Sequence, residues 1–182
     1  MKVYETIEPK LEAFIKAQKM FFVATAPLSG EGHVNLSPKG YDSFAILNPA
    51  KVAYLDLGGS GIETQAHITE NGRITIMFCA FEGKANIVRL FGTAKVFDFG
   101  HPDFAQKLAA FPGHDRARSI FEIALDRIQD SCGWGVPFYE FKGERDQLKR
   151  SNANRSYDDW AEHRYKTNSL SIDGLPGLKR PK

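Results

Sequence analysis

At 182 residues the chain has the length of one ordinary domain with peripheral elements. A net charge of +2, from 24 basic and 22 acidic residues, gives no excess of cations for a nucleic-acid backbone, while 42% hydrophobic residues with 14 Phe argue for a packed core. Cys79 and Cys132 lie at no metal-ligand spacing and point to a reducing compartment. Charges interrupt residues 1–19 where a signal peptide would be apolar, and no later run has membrane-spanning length, so a soluble, cytoplasmic protein is expected.

Pro9 opens an amphipathic helix, because its missing N–H is one that a first turn leaves unpaired, and Leu11, Phe14 and Ile15 follow at helical spacing. Residues 21–25 then read as a β-strand, closed by Pro27 and the Ser29-Gly30-Glu31-Gly32 turn. Its hairpin partner is residues 33–40, where Val34 and Leu36 alternate with Asn35 and Ser37, so a polar row faces one side. Residues 51–57 form a third strand, Gly58-Gly59-Ser60-Gly61 a turn, and residues 62–71 a crossover helix ended by Gly72. The N-terminus of that helix, beside Ser60, is either a phosphate site or a plain glycine turn.

Residues 73–81 and 85–97 predict a long antiparallel hairpin, with Gly92 marking a bulge or barrel corner. Helical spacing then recurs over 102–111 and 115–128, through Ile120, Phe121, Ala124, Leu125 and Ile128 in the second run. Residues 134–142 read as a last, edge strand interrupted by Pro137, and a final helix is expected near 157–165. About six antiparallel strands with glycines at bends predict a mainly β fold, a small barrel with flanking helices. The domain spans residues 1–143, and a C-terminal helical extension with its tail, 144–182, packs on it or on a partner. The tail has Ile172, Leu175 and Leu178 in a turn-rich context, which a solvated tail has little reason to contain.

The run Asn35-Leu36-Ser37-Pro38-Lys39-Gly40, the Asn48-Pro49 turn, Gly-Ser-Gly-Ile-Glu-Thr at 59–64 and Val88-Arg89-Leu90-Phe91-Gly92 occur in an order and spacing that resemble the pyridoxamine 5′-phosphate oxidase-like superfamily. Gly-Ile-Glu-Thr, residues 70–78 and the tail 171–178 together resemble an uncharacterised subgroup. The resemblance implies an FMN-binding split barrel, a homodimer with each flavin between two subunits, and oxidoreductase chemistry carried by the cofactor on a small molecule that the sequence does not identify. The alternative is a non-catalytic module for flavin, deazaflavin or haem on the same barrel.

Carried over by position, Lys39 matches the basic residue ending the second-strand motif, and Asn35 and Ser37 share its strand. Asp56, Ser60, Thr64, Arg89 and Trp134 complete the candidate cofactor contacts. The resemblance also exposes departures, since Glu63 stands where the oxidases have an Arg, Thr64 where they have a Lys, and Asn86-Ile87 where they have a Gln. A phosphate dianion gains most from Arg and Lys, so this pair weakens the expected phosphate site. The tail lacks the oxidases' substrate-binding Arg and His pattern, so oxidation of pyridoxamine phosphate itself is not expected. Read without the resemblance, Lys39 is a strand-end lysine in solvent, Arg89 faces away from Val88 and Leu90 toward a partner or water, and Trp134 is a packing anchor. No HExxH, G-x-S-x-G or paired His and Cys spacing points to metal or nucleophile chemistry.

Overall fold

The computed structural model describes residues 1–114 and 116–180. Its elements in chain order are β1 (Val3–Tyr4), α1 (Pro9–Ala17), β2 (Phe21–Thr25), β3 (Asn35–Lys39), β4 (Phe44–Asn48), β5 (Lys51–Asp56), α2 (Glu63–Asn71), β6 (Arg73–Cys79), β7 (Ile87–Asp98), α3 (Phe104–Leu108), β8 (Ser119–Ser131), α4 (Gln147–Ala153) and α5 (Tyr157–Thr167). The strands form one eight-stranded antiparallel sheet in the order β3-β2-β6-β7-β8-β5-β4, with β1 added against β8. Long β7 and β8 pair along their whole length, and the sheet curls around one core as a split barrel.

That core alternates out of the strands as period two requires: Phe21 and Val23 from β2, Val52 and Tyr54 from β5, Ile76 and Phe78 from β6, Val88 and Leu90 from β7, Phe121 and Ile123 from β8. α1 closes one end with Leu11 and Ile15. Edge-to-face contacts of Phe21 with Phe44 and Tyr54, and the Tyr54–Phe121 stack at 4.8 Å, fix its centre. Gly72 ends α2 at φ 72°, in the left-handed region that glycine enters without strain. The register of β7 on β8 shifts at Phe91/Gly92, the bulge its glycine foretold. Among the described residues no helix is long and apolar enough to cross a membrane.

Four elements differ from the sequence expectation. The helix expected over 115–128 is strand β8; its first residue, Asp115, lies outside the described residues. Phe121, Ile123 and Ile128 face the barrel core, while Ile120 faces a second cluster of Ala53, Leu55, Phe111 and Ala117 on the other side. A strand covered on both faces carries a near-continuous apolar run, and such a run imitates helical spacing. Residues 134–142 form no strand: Gly133 turns at φ 66°, Pro137 removes a donor, and a bond from Tyr139 N–H to the Phe81 carbonyl (3.0 Å) ties the segment to the β6–β7 loop. β4, next to the expected Asn48-Pro49 turn, and the short β1 bring the count to eight rather than six.

Candidate functional site

The pairing of β3 on β2 sets Lys39 opposite Phe21, Ser37 opposite Val23 and Asn35 opposite Thr25. Asn35, Ser37 and Lys39 therefore share the face of the buried β2 residues, and Leu36 and Pro38 point the other way. Because β3 is the end of the sheet, its polar row looks across open space at the loop between β5 and α2. The result is a cleft of about 690 Å³, walled by that row, residues 58–61, Glu63 and Thr64 at the start of α2, Arg118, and the tail at Leu170, Ser171 and Ile172.

One wall is a hydrogen-bonded chain running into the core. Ser37 Oγ donates to Asn35 Oδ1 (3.2 Å), and Asn35 Nδ2 donates to Thr64 Oγ1 (2.9 Å) and to Thr25 Oγ1 (3.3 Å). Thr25 Oγ1 lies 3.0 Å from His67 Nδ1; accepting from Asn35, it is assigned as donor to the imidazole. His67 is fully buried on α2 and its Nε2 has no partner among the described residues. Burial lowers its pKa below the ordinary 6.5, outweighing the opposite pull of Asp173, Glu70 and Glu63. The folded protein thus keeps this ring neutral while the unfolded chain protonates near pH 6.5. Its contribution to stability is present above that pH and is lost as pH falls toward the lower, folded value. The urea midpoint is expected to drop on acidification through pH 6.5, and to drop less in His67→Gln; equal slopes for both proteins would refute the assignment.

The floor is an ion pair. Arg118 and Asp56 are both almost wholly buried and meet at 2.7 Å, and the Asp56 carboxylate also accepts from Gly58 N–H at 2.9 Å. Burial alone would raise the Asp56 pKa, but Arg118 foremost, then Lys39 and the Gly58 N–H, hold it well below the usual carboxylate range. Arg118 also donates to the carbonyls of Gly61 (2.6 Å) and Gly59 (3.4 Å). From α5, Arg164 donates to the Gly59 carbonyl at 3.0 Å, and Asn168 Nδ2 to the Ser60 carbonyl at 3.2 Å.

At the mouth, Glu63 Oε1 accepts from the Ile172 N–H (3.3 Å), and Asp173 accepts from the His33 backbone N–H (2.8 Å) and Nδ1 (2.6 Å). The tail is docked: Leu178 and Ser171 are buried, and Gly177 sits so close to Ile62 and the Asn168 carbonyl that a Cβ there would collide. Of the residues singled out from sequence, Asn35, Ser37, Lys39, Ser60 and Thr64 line the cleft. Asp56 lies beneath it, holding Arg118. Arg89 and Trp134 lie elsewhere: Arg89 pairs across from Met77 and Gln129 on the opposite face of the sheet and donates to Ser131 Oγ (3.1 Å), and Trp134 is 86% exposed on the 132–145 segment. Arg118, Arg164 and Asn168 were not singled out. Trp160, Arg164 and Asn168 recur every fourth residue, which puts them on one helical face, but nothing in the sequence separated Arg118 from Arg116. Among the described residues no group of three or more His, Cys, Asp or Glu could hold a metal ion.

Residues 7–132 match the family model described as pyridoxamine 5′-phosphate oxidase. The chain belongs to the pyridoxamine 5′-phosphate oxidase family. A curated relative, the pyridoxamine 5′-phosphate oxidase family protein ustO of Aspergillus flavus, is 38% identical over 192 residues, covering 96% of this chain and 77% of its own. Among solved structures, HupZ of Group A Streptococcus is similar with a TM-score of 0.56 at 24% identity, over 74% of this chain and 99% of that one. A protein related to general stress protein 26, of the pyridoxinephosphate oxidase family from Clostridium acetobutylicum, gives 0.52 at 13% identity, over 76% of this chain and 94% of that one. At these identities both structures bear on the fold alone. In this member of the family, the region after residue 132 supplies α5 and the tail, and both reach the cleft.

Proposed function

We propose that the chain binds FMN in this cleft and works as a flavin-dependent oxidoreductase on a small molecule. The observation that carries the reading is the convergence of Asn35, Ser37, Lys39, Ser60 and Thr64, from β3 and the β5–α2 loop, on one cleft in a chain of this family. The donor set suits a phosphate monoester at the loop end: α2 has no side-chain cap at its N-terminus, residues 58–61 line the cleft, and Lys39 brings a cation. Glu63 leans over Gly61 toward the tail, where it accepts from the Ile172 N–H, while the cations Lys39, Arg118 and Arg164 gather around Asp56. Together with backbone N–H groups they replace the basic pair of the oxidases. FMN, when bound, supplies hydride or electron transfer. The protein's share is to orient the ring, hydrogen-bond its edge through Asn35 and Ser37, and exclude water.

Val34, Leu36, Leu170 and Ile172, at least 60% exposed, rim the polar cleft. A second copy of the chain covers this rim in a homodimer, and a monomeric mass by light scattering would contradict that. The wavelength spectrum of the chain reconstituted with FMN tests the function: flavin bands that bleach with NADH or NADPH and recover with an acceptor support it. A flavin that binds without turnover points to the non-catalytic module instead, a reading favoured by Glu63; deazaflavin and haem give their own bands. Lys39→Ala is expected to weaken FMN by about 1–2 kcal/mol in a fluorescence titration, less than a fully desolvated charge pair gives, because Lys39 is only partly buried and stays open to screening. Unchanged affinity would return Lys39 to a solvent-facing role.

A further inference from the structure

Three consecutive carbonyls in the β5–α2 loop are each taken by a side chain. Gly59 accepts from Arg118 and Arg164, Ser60 from Asn168, and Gly61 from Arg118. Among the described residues no peptide bond is cis, and in a planar trans peptide the carbonyl and the N–H of the same unit point in opposite directions. Drawing these carbonyls toward Arg118, Arg164 and Asn168 therefore turns the N–H groups of Ser60, Gly61 and Ile62 the other way, and the loop is a wall of the cleft. None of the three N–H groups meets a protein acceptor among the described residues. Such a row of N–H groups is an anion cradle. Arg118 lines the same cleft, 4% exposed, with its Nε unpartnered among the described residues.

α5 is built to hold two of these donors in place. Ser156 caps it by accepting from Asp159 N–H (3.1 Å), and Trp160, 1% exposed, anchors it against Phe99. Arg164 and Asn168 follow one and two turns later on the same face, 9% and 0% exposed. Both lie beyond the residues that the family model matches.

We propose that Arg164 and Asn168 are positioning residues of the cofactor cleft, which fix the 58–61 loop so that the Ser60, Gly61 and Ile62 N–H groups receive a phosphate monoester. The proposal rests on the FMN reading for which monoester is bound, and not for the cradle itself. The test is a pair of titrations on the full chain. In nitrogen–proton spectra, inorganic phosphate is expected to shift the Ser60, Gly61 and Ile62 amides of the wild type, and Arg164→Met or Asn168→Ala to need about tenfold more phosphate for the same shift. FMN affinity is expected to fall about tenfold in both variants while riboflavin, which lacks the phosphate, binds as before, and Arg164→Lys, which keeps a donor near Gly59, recovers most of the loss.

Wild-type amides indifferent to phosphate would overturn the proposal, as would variants that bind FMN like the wild type. Equal weakening of FMN and riboflavin would show a merely structural role and also overturn it. Phosphate shifts without FMN affinity would uphold the cradle and sink the FMN reading, so the two fail separately. If Arg164→Met does not fold, Asn168→Ala, smaller and on a neighbouring carbonyl, decides the outcome.

Discussion

Arg118→Met is expected to destabilise the protein by about 3–5 kcal/mol, the range for a buried ion pair that loses one partner. The cause is less the lost attraction than the carboxylate left behind. Among the described residues Asp56 keeps only the Gly58 N–H as a close donor, in a position almost closed to water, and the Gly61 carbonyl loses its donor at the same time, while the Gly59 carbonyl keeps the bond from Arg164. The pH dependence separates this cause from simple loss of packing. In the wild type the Asp56 pKa is depressed, so its contribution is present above the unfolded value of 3.8 and is lost only as pH falls below that toward the folded value. Without Arg118, burial pushes the carboxyl up instead, so the variant is relieved as its carboxyl takes a proton. The deficit in urea unfolding free energy should therefore narrow toward about pH 4, and Asp56→Leu combined with Arg118→Met should recover much of it. A deficit under about 1 kcal/mol at neutral pH would mean that the pair is not the floor of the site.

Gly92→Val is expected to cost about 3 kcal/mol or more and to disturb the barrel rather than the cleft. A Cβ at this position runs into the Ala124 carbonyl oxygen and touches the Ile123 side chain, and the backbone of β8 cannot step aside without breaking the ladder. The same point is where the β7–β8 register shifts by a bulge, which lets the two longest strands curl. The expected readouts are a lower urea midpoint and, after correction for the folded fraction, FMN affinity like that of the wild type. A stable Gly92→Val protein would show that the curvature does not depend on this bulge.

What was legible in the sequence follows from what each segment faces. β2, β6 and β7 send every second residue into the core and read as β-rich runs, β3 alternates with its polar row toward the cleft and Leu36 outward, and Pro9, Gly72 and Gly92 marked a helix start, a helix end and a bulge by local stereochemistry alone. β8 was misread because Ile120 serves one apolar cluster while Phe121 and Ile123 serve another, and no single-face pattern survives that arrangement. The 134–142 segment misled in the opposite sense: its aromatic residues look like strand, yet Phe138 is 81% exposed and only isolated bonds hold the backbone.

The site was half legible for a similar reason. Asn35, Ser37, Lys39, Ser60 and Thr64 sit in local motifs whose spacing carries meaning. Arg118, Arg164 and Asn168 reach the loop across 57, 105 and 108 positions of sequence, and such long-range bonds leave no local trace.

The central claim is met most directly by calorimetric titration of the ligand-free chain with FMN, with riboflavin as the comparison. Saturable heat at one FMN per chain, with riboflavin binding at least about tenfold more weakly, is the predicted result, because the loop N–H row and Lys39 act on the phosphate. No heat with FMN, or riboflavin bound as tightly as FMN, would contradict a phosphate-anchored flavin in this cleft.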